Sequence, residues 1–208
     1  LSSMAARDKV FLATKVRVTG REDSIAEMQE SLRRLRTGKV DLMQLHNVRD
    51  AKTELRTLKE WQQKGTTRYI GITHSQAGAN DRLAEVMRRE RPEFVQLNYS
   101  LAERSVEERL LPLASDTGTA VLVNLPFGRG KLFSAVRGRT LPEWAREFDA
   151  ASWGQFFLKY LLAHPAVTCV IPGTDKPEYM LDNLEAGRGR LPDAAMRRKM
   201  VEFWNALS

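Results

Sequence analysis

The chain holds a single cysteine, Cys169, in 208 residues. A lone thiol cannot close an internal disulfide and cannot build a cysteine-based metal cluster, so both devices are excluded. No apolar run approaches the roughly 20 residues that a membrane-spanning helix needs. Low-complexity tracts are missing, and so are the long like-charge runs of disordered chains. No glycine-rich phosphate fingerprint follows any early apolar run, as a doubly wound dinucleotide-binding sheet would want. Nor is there a basic stripe with interleaved aromatics, although the formal charge is +7. The arginines sit among acids on helical faces, as in Arg33, Arg34 and Arg36 or Arg88, Arg89 and Arg91, and read as solvated surface. Neither nucleic acid nor a membrane is therefore expected as a partner, and a few basic residues remain for a nucleotide phosphate. No signal peptide is visible, but the chain opens abruptly, and a preceding segment could carry one; a cytoplasmic location is expected otherwise.

What is present is ordinary for a soluble globular protein: 42% hydrophobic and 28% charged residues, enough for one domain with a sizeable core. A short apolar run followed by an amphipathic helix repeats along the chain. Strands are predicted at Val10 to Val16, Asp41 to His46, Arg68 to Thr73, Phe94 to Tyr99, Thr119 to Leu125 and Val167 to Ile171. Helices fill the spaces. The first is expected to be capped at Asp23-Ser24, with Ser24 and Glu27 at capping-box spacing and Ile25, Met28, Leu32 and Leu35 inward. The next runs from about Thr53 to Lys64 with Leu55, Leu58 and Trp61 inward and stops at Gly65. Others follow at Asp81 to Glu90, Val106 to Thr117, Trp153 to Ala163, from Pro177, and Asp193 to Leu207. Cys169, inside the last apolar run, is expected to be a small buried core residue.

Near-continuous apolar strands alternating with helices mean a parallel sheet covered on its outer face. The cadence fits a (β/α)₈ TIM barrel, of which about six of eight units are visible, better than a doubly wound sheet. Leu1 to Arg7 reads as the end of a helix entering the first strand, so about two βα units are expected upstream. The domain is then residues 1–208, one barrel lacking its N-terminal portion.

In such barrels the chemistry sits at the C-terminal strand ends. Those positions hold Lys15, then His46-Asn47, Thr73-His74-Ser75, Gln96 and Asn98, Asn124, and Gly173-Thr174-Asp175. Lys15, emerging from an apolar strand, suits either a desolvated Schiff-base nucleophile or a cation that holds a neighbouring acid in its working state. His46, on the next strand end, would face the same cavity, where a neutral imidazole can donate to a carbonyl oxygen. Gln96, polar on an apolar strand, must find a partner if buried: a cofactor carboxamide or an amide on a neighbouring strand. Gly173 and Thr174 ahead of the helix at Pro177 make a plausible phosphate cradle.

The runs Phe11 to Val16, Asp41 to Asn47, Ile70 to Thr73, Val95 to Ser100 and Ile171 to Thr174 continuing to Leu184 resemble, in order and spacing, the aldo-keto reductases, over essentially the whole chain. That resemblance implies a barrel transferring hydride between a nicotinamide dinucleotide and a carbonyl, with an Asp, Tyr, Lys, His tetrad. Lys15 resembles the tetrad lysine and His46 the tetrad histidine; the aspartate and tyrosine would lie upstream of Leu1. Thr73, His74 and Gln96 align with the residues around the nicotinamide carboxamide, His74 replacing the common asparagine. Asn124 stands where many members stack a tyrosine. Leu125, Phe127 and Arg129 align with the loop over the pyrophosphate, and Gly173, Thr174, Tyr179, Asp182 and Asn183 with the adenosine end. Gly173 and Tyr179 replace a lysine and an arginine that grip the 2′-phosphate in many members; Arg129 or Lys176 could substitute. NADP(H) is expected ahead of NAD(H), with a small carbonyl substrate, no metal, and a monomer or small homo-oligomer.

Three functions are thus open. One is NAD(P)H-dependent reduction of a small aldehyde or ketone by the intact protein, this stretch being inactive alone. The others are a catalytically silent nucleotide-binding barrel or partner subunit, and a Schiff-base aldolase using Lys15.

Overall fold

Gly71, on the third strand, sits where the sheet leaves no room for a side chain. A Cβ there would lie 2.9 Å from both the Cβ and the carbonyl oxygen of Phe94 on the next strand and 3.3 Å from Cγ of Gln44 on the preceding one. Around it the computed structural model, which describes residues 6–207, builds parallel strands that alternate with helices. The strands are β1 (Ala13–Val16), β2 (Val40–His46), β3 (Thr67–Thr73), β4 (Phe94–Asn98), β5 (Ala120–Asn124) and β6 (Val167–Val170), and they follow one another in the sheet in chain order. The expected opening helix falls largely outside the described residues, at Leu1 to Ala5; Arg7–Lys9 forms a 3₁₀ turn.

The chain divides into two compact units, Leu1–Gln96 with Leu113–Thr119, and Leu97–Pro112 with Ala120–Ser208. In the first, β1 to β4 pair in parallel, with Lys15 opposite Gln44, Gln44 opposite Gly71, His46 opposite Thr73 and Thr73 opposite Gln96. Side chains alternate between the faces of a strand. Lys15, Gln44, His46, Gly71, Thr73 and Gln96 therefore all belong to one face. Leu45, Ile72 and Val95 are on the other face and buried, where α1 (Arg21–Leu35) covers β1 and α2 (Ala51–Gln63) covers β2 and β3. Helix α3 (Asn80–Glu90) packs on α2. Phe11, Tyr69 and Phe94 form an aromatic cluster, with centroids 5.4–6.2 Å apart.

Helix α1 does not start where its sequence suggests. It begins at Arg21 behind Gly20, whose φ of 94° suits glycine, and no capping box forms. Ser24 instead donates to Oε2 of the buried Glu54 on α2 (2.6 Å), and Glu27 turns back to accept from the backbone N–H groups of Arg17 (2.7 Å) and Val18 (3.0 Å). A buried carboxylate competes better for the serine hydroxyl than an exposed helix end does. Ser24 and Met28 are the buried residues of α1, while Leu35 lies exposed. On α2, Leu55, Leu58 and Trp61 are buried as the periodicity predicts.

The expected helix from Val106 is broken into a 3₁₀ turn at Ser105–Glu107 and α4 (Leu110–Thr117). Pro112, which lacks an N–H, suits the first turn of a helix that starts at Leu110. In the second unit a short helix α5 (Lys131–Ala135) and a 3₁₀ segment at Glu143–Phe148 precede α6 (Trp153–Leu162). The hydroxyl of Ser152 caps α6 by accepting from Gln155 N–H at 3.1 Å. The core of this unit is aromatic: Trp144, Phe148, Trp153, Phe156 and Phe203 pack at centroid separations of 5.3–6.2 Å. Helices α7 (Pro177–Glu185) and α8 (Ala194–Asn205) complete it, α8 being capped by Asp193. Cys169 is exposed, not buried. Strand β6 comes last in the sheet order, among the described residues pairs with β5 alone, and has its two middle residues exposed.

Candidate active site

On the shared face of the first unit, Lys15 is half-buried at the end of β1. Burial, and then the Arg17 cation, push its ammonium below the ordinary lysine value. Among the described residues it has no hydrogen-bond partner. His46 ends β2 two positions beyond the register partner of Lys15. Its pKa is lowered by burial, then by the charges of Lys15, Arg17 and His74, so the imidazole is neutral near pH 7. Its Nδ1 is buried with no partner. Directly after it the backbone takes two left-handed residues, Asn47 (φ 70°) and the buried Val48 (φ 31°). A β-branched residue there is strained, and such strain marks places where a side chain is held to a purpose.

Thr73 is buried, and its carbonyl accepts from Asn47 N–H at 2.9 Å. The Nδ1 of His74 accepts from Gln76 N–H at 3.1 Å. The proton of its neutral ring then sits on Nε2; burial, followed by Arg82 and Arg49, favours that neutral form. Gln96, only 7% exposed, accepts through Oε1 from Gln44 Nε2 at 3.0 Å. The amide thus has its partner on β2, with β3 between them. Lys15, His46, Thr73 and Gln96 share one sheet face. A cavity of about 430 Å³ in the same unit is lined by Arg49, Lys52, Arg82, Asp81 and Glu85 among others, and by none of those four.

In the second unit, Asn124 Nδ2 donates to Asn98 Oδ1 at 2.7 Å, while its own Oδ1 is buried without a partner. The loop that follows has left-handed backbone at Leu125, Gly128, Arg129 and Gly130 (φ 53°, 56°, 56° and 87°). Backbone of this kind forms concavities that receive anions. A cavity of about 230 Å³ beside it is lined by Leu125, Gly128, Arg129, Asn98, Ser100 and Lys131, and by the acidic Glu103 as well. Phe127 is turned instead onto Phe133, with centroids 4.8 Å apart. Thr174 Oγ1 accepts from Lys176 N–H at 3.1 Å, and the Lys176 ammonium lies 4.9 Å from the centre of the exposed Tyr179 ring. Asp182 is already engaged by Ser152 (2.6 Å) and Gln155 (2.7 Å) at the start of α6, Asn183 is half-buried beside it, and Gly173 is exposed.

A family model described as the aldo/keto reductase family matches residues 1–200. The chain belongs to the aldo/keto reductase family. It is 28% identical to the aldo-keto reductase str7 of Strobilurus tenacellus, the match covering 97% of this chain and 71% of that protein. It is also 28% identical to the oxidoreductase YqkF of Bacillus subtilis, over 78% of this chain and 60% of that protein. Among solved structures, the aldo-keto reductase AKR11C1 of Bacillus halodurans matches with 26% identity and a TM-score of 0.75, over 97% of this chain and 75% of that one. The fold alone is shared with an aldo/keto reductase of Klebsiella pneumoniae solved with NADP and acetate (21% identity, TM-score 0.81, 97% and 72% covered). The six strand–helix units of this family member are thus part of the (β/α)₈ barrel, and its kind is oxidoreductase. Among the described residues no helix is long and apolar enough to cross a membrane.

Three residues of these surroundings escape a reading by strand ends: Gln44, Ser100 and Lys131. Gln44 carried the same signal as Gln96, a polar amide inside an apolar strand, one turn of the pleat below the end. Ser100 and Lys131 gave none.

Proposed function

We propose that this chain carries the reduction of a small aldehyde or ketone with NADPH as the preferred reductant, in the intact protein. The observation that supports it most is the pairing, on one sheet face, of Lys15 with a His46 kept neutral by burial and by that lysine. A neutral imidazole donates a hydrogen bond to the substrate carbonyl oxygen without itself protonating it. The Lys15 ammonium, by its charge, holds a nearby hydroxyl acid at a lower pKa than in water. No residue numbered here is assigned as that acid.

The residues fit a nicotinamide dinucleotide. Among the described residues nothing accepts from the Gln96 amide nitrogen, which leaves it for a carboxamide, with Thr73 as its register partner on β3, His74 next in the chain after Thr73, and Asn124 the residue that the resemblance gives to the ring. Leu125 and Arg129 would take the pyrophosphate, and Gly173, Thr174, Tyr179 and Asn183 the adenosine end, while the Phe127 ring packs on Phe133 and Asp182 is held by Ser152 and Gln155. A bound nicotinamide supplies the hydride. The Lys176 cation beside Tyr179 supports the preference for a 2′-phosphate, where charge-assisted bonds decide.

Absorbance of NADPH during incubation with small aldehydes and ketones tests this reading. Turnover is expected of the intact protein and not of residues 1–208 alone, with Lys15→Ala and His46→Gln in the intact protein each lowering kcat by roughly 100-fold or more. Lys176→Ala should weaken NADPH about tenfold and leave NADH unchanged. Binding of neither dinucleotide would overturn the reading. Trapping of Lys15 by borohydride with a carbonyl compound would replace it with Schiff-base aldol chemistry, to which a desolvated lysine also lends itself.

A further inference from the structure

Gln44 is 1% exposed, and its register partners are Lys15 on one side and Gly71 on the other. Its side chain reaches Gln96, which lies two strands away, a span of roughly 9–10 Å between strand axes. That reach is possible because the strand between them carries glycine: any Cβ at residue 71 would meet Gln44 Cγ at 3.3 Å. The amide of Gln44 donates to Gln96 Oε1 at 3.0 Å, and its own Oε1 is buried without a partner. Lys15 is the register partner of Gln44 on the side away from Gln96, so its charge favours the amide dipole with the oxygen toward β1 and the NH₂ toward Gln96. In a low-dielectric setting such head-to-tail amides polarise one another.

A glutamine amide can turn over and offer either its oxygen or its NH₂ to a ligand. Resting on the cofactor reading above, we propose that Gln44 is a positioning residue: by occupying Gln96 Oε1 it leaves the Gln96 NH₂ as the group presented to the carboxamide oxygen of the nicotinamide. Without it, Gln96 can rotate, and half of its orientations offer an acceptor to an acceptor. Gly71 belongs to the same device, as the gap through which the two amides meet.

Binding rather than turnover tests this. The probes are NADPH and 2′-phospho-ADP-ribose, which keeps the adenosine and pyrophosphate and lacks the nicotinamide, titrated against the protein by tryptophan fluorescence. Gln44→Met keeps the volume and removes the donor. It should weaken NADPH on the order of tenfold and leave 2′-phospho-ADP-ribose unchanged. Gln96→Met should do the same, and the double variant should lose no more than either single one, because both act through one amide. A packing role would instead give additive losses and overturn the proposal. So would a Gln44→Met protein that binds NADPH like wild type while Gln96→Met does not. If wild type binds neither probe, the cofactor reading fails first and takes this one with it. Thermal melts accompany each variant, and Gln44→Leu replaces Gln44→Met if that protein does not melt cooperatively.

Discussion

Gly71 does its work by having no side chain. Its φ is unexceptional, so alanine would be allowed by the backbone and refused by the neighbours: 2.9 Å to the Phe94 carbonyl oxygen is a contact with main chain, which cannot swing aside. Gly71→Ala should therefore lower stability by about 2 kcal/mol, as overpacking of a tight interior does, and should weaken NADPH as Gln44→Met does. Chemical denaturation and the same titration read both effects. At this scale the sequence was informative where one residue contradicted its surroundings. Lys15, His46 and Gln96 each interrupt an apolar run and were legible for that reason. Gln44 interrupts one as well, but attention to strand ends passes over it, because its importance comes from a contact two strands away that no local pattern records. Asp182 is the converse case. Aligned with the adenosine end, it is bonded in the structure to Ser152 and Gln155, so its carboxylate first of all holds the start of α6.

Elements were legible to within a few residues wherever their hydrophobic period was undisturbed, as in α2 and α6. They shifted where a long-range polar contact took over a local one, as when Glu54 claims the Ser24 hydroxyl and moves the start of α1. The attachment of α8 is another such contact. Its Arg197 donates to Glu107 Oε1 (2.8 Å) and to the Tyr99 hydroxyl (2.7 Å), and its guanidinium lies 4.5 Å from the centre of the Tyr160 ring. Both phenols donate to Glu107, Tyr160 at 2.7 Å. Burial works to raise the Glu107 carboxyl, but the two hydroxyls and Arg197 outweigh it and hold it below its ordinary value. Burial and the bond to Glu107 push Tyr160 up to about 12, and burial raises Tyr99 as well. Arg197→Met should cost about 3 kcal/mol, since it leaves a part-buried carboxylate and two phenols without their cation. Glu107→Gln should cost less, an amide still accepting from one phenol. Urea denaturation followed by tyrosine and tryptophan fluorescence measures both. Equal stability of the Arg197→Met protein and wild type would show that apolar packing alone holds α8.

At the scale of the whole chain, the alternation of strand and helix was the most legible feature, because a parallel sheet imposes it on every unit. The division into two compact units was not legible, since nothing in composition or punctuation changes where it falls. Histidine links the two units in one respect. The chain has three histidines; His46 and His74 belong to the first unit and His164 to the second. Burial is the leading cause of a lowered pKa at each, followed by Lys15 at His46 and by arginines at the others. A base whose folded pKa lies below its unfolded value of 6.5 is held neutral by the fold. The unfolded chain then binds more protons than the folded one in the window between the two values, so stability rises with pH there and falls as pH drops through it. Carboxylates such as Glu107, whose folded pKa is also lowered, add a loss of their own only below about their ordinary 4.5. Acid weakening that begins already below pH 6.5, ahead of the carboxylate range, is therefore the expected signature of the histidines. The urea midpoint, followed from pH 7.5 to 5, should fall over this range in wild type and stay nearly level in a protein carrying His46→Gln, His74→Gln and His164→Gln. A wild-type midpoint that is flat down to pH 5 would mean the imidazoles are as free to protonate in the fold as in water, and the neutral His46 on which the carbonyl chemistry depends would go with it.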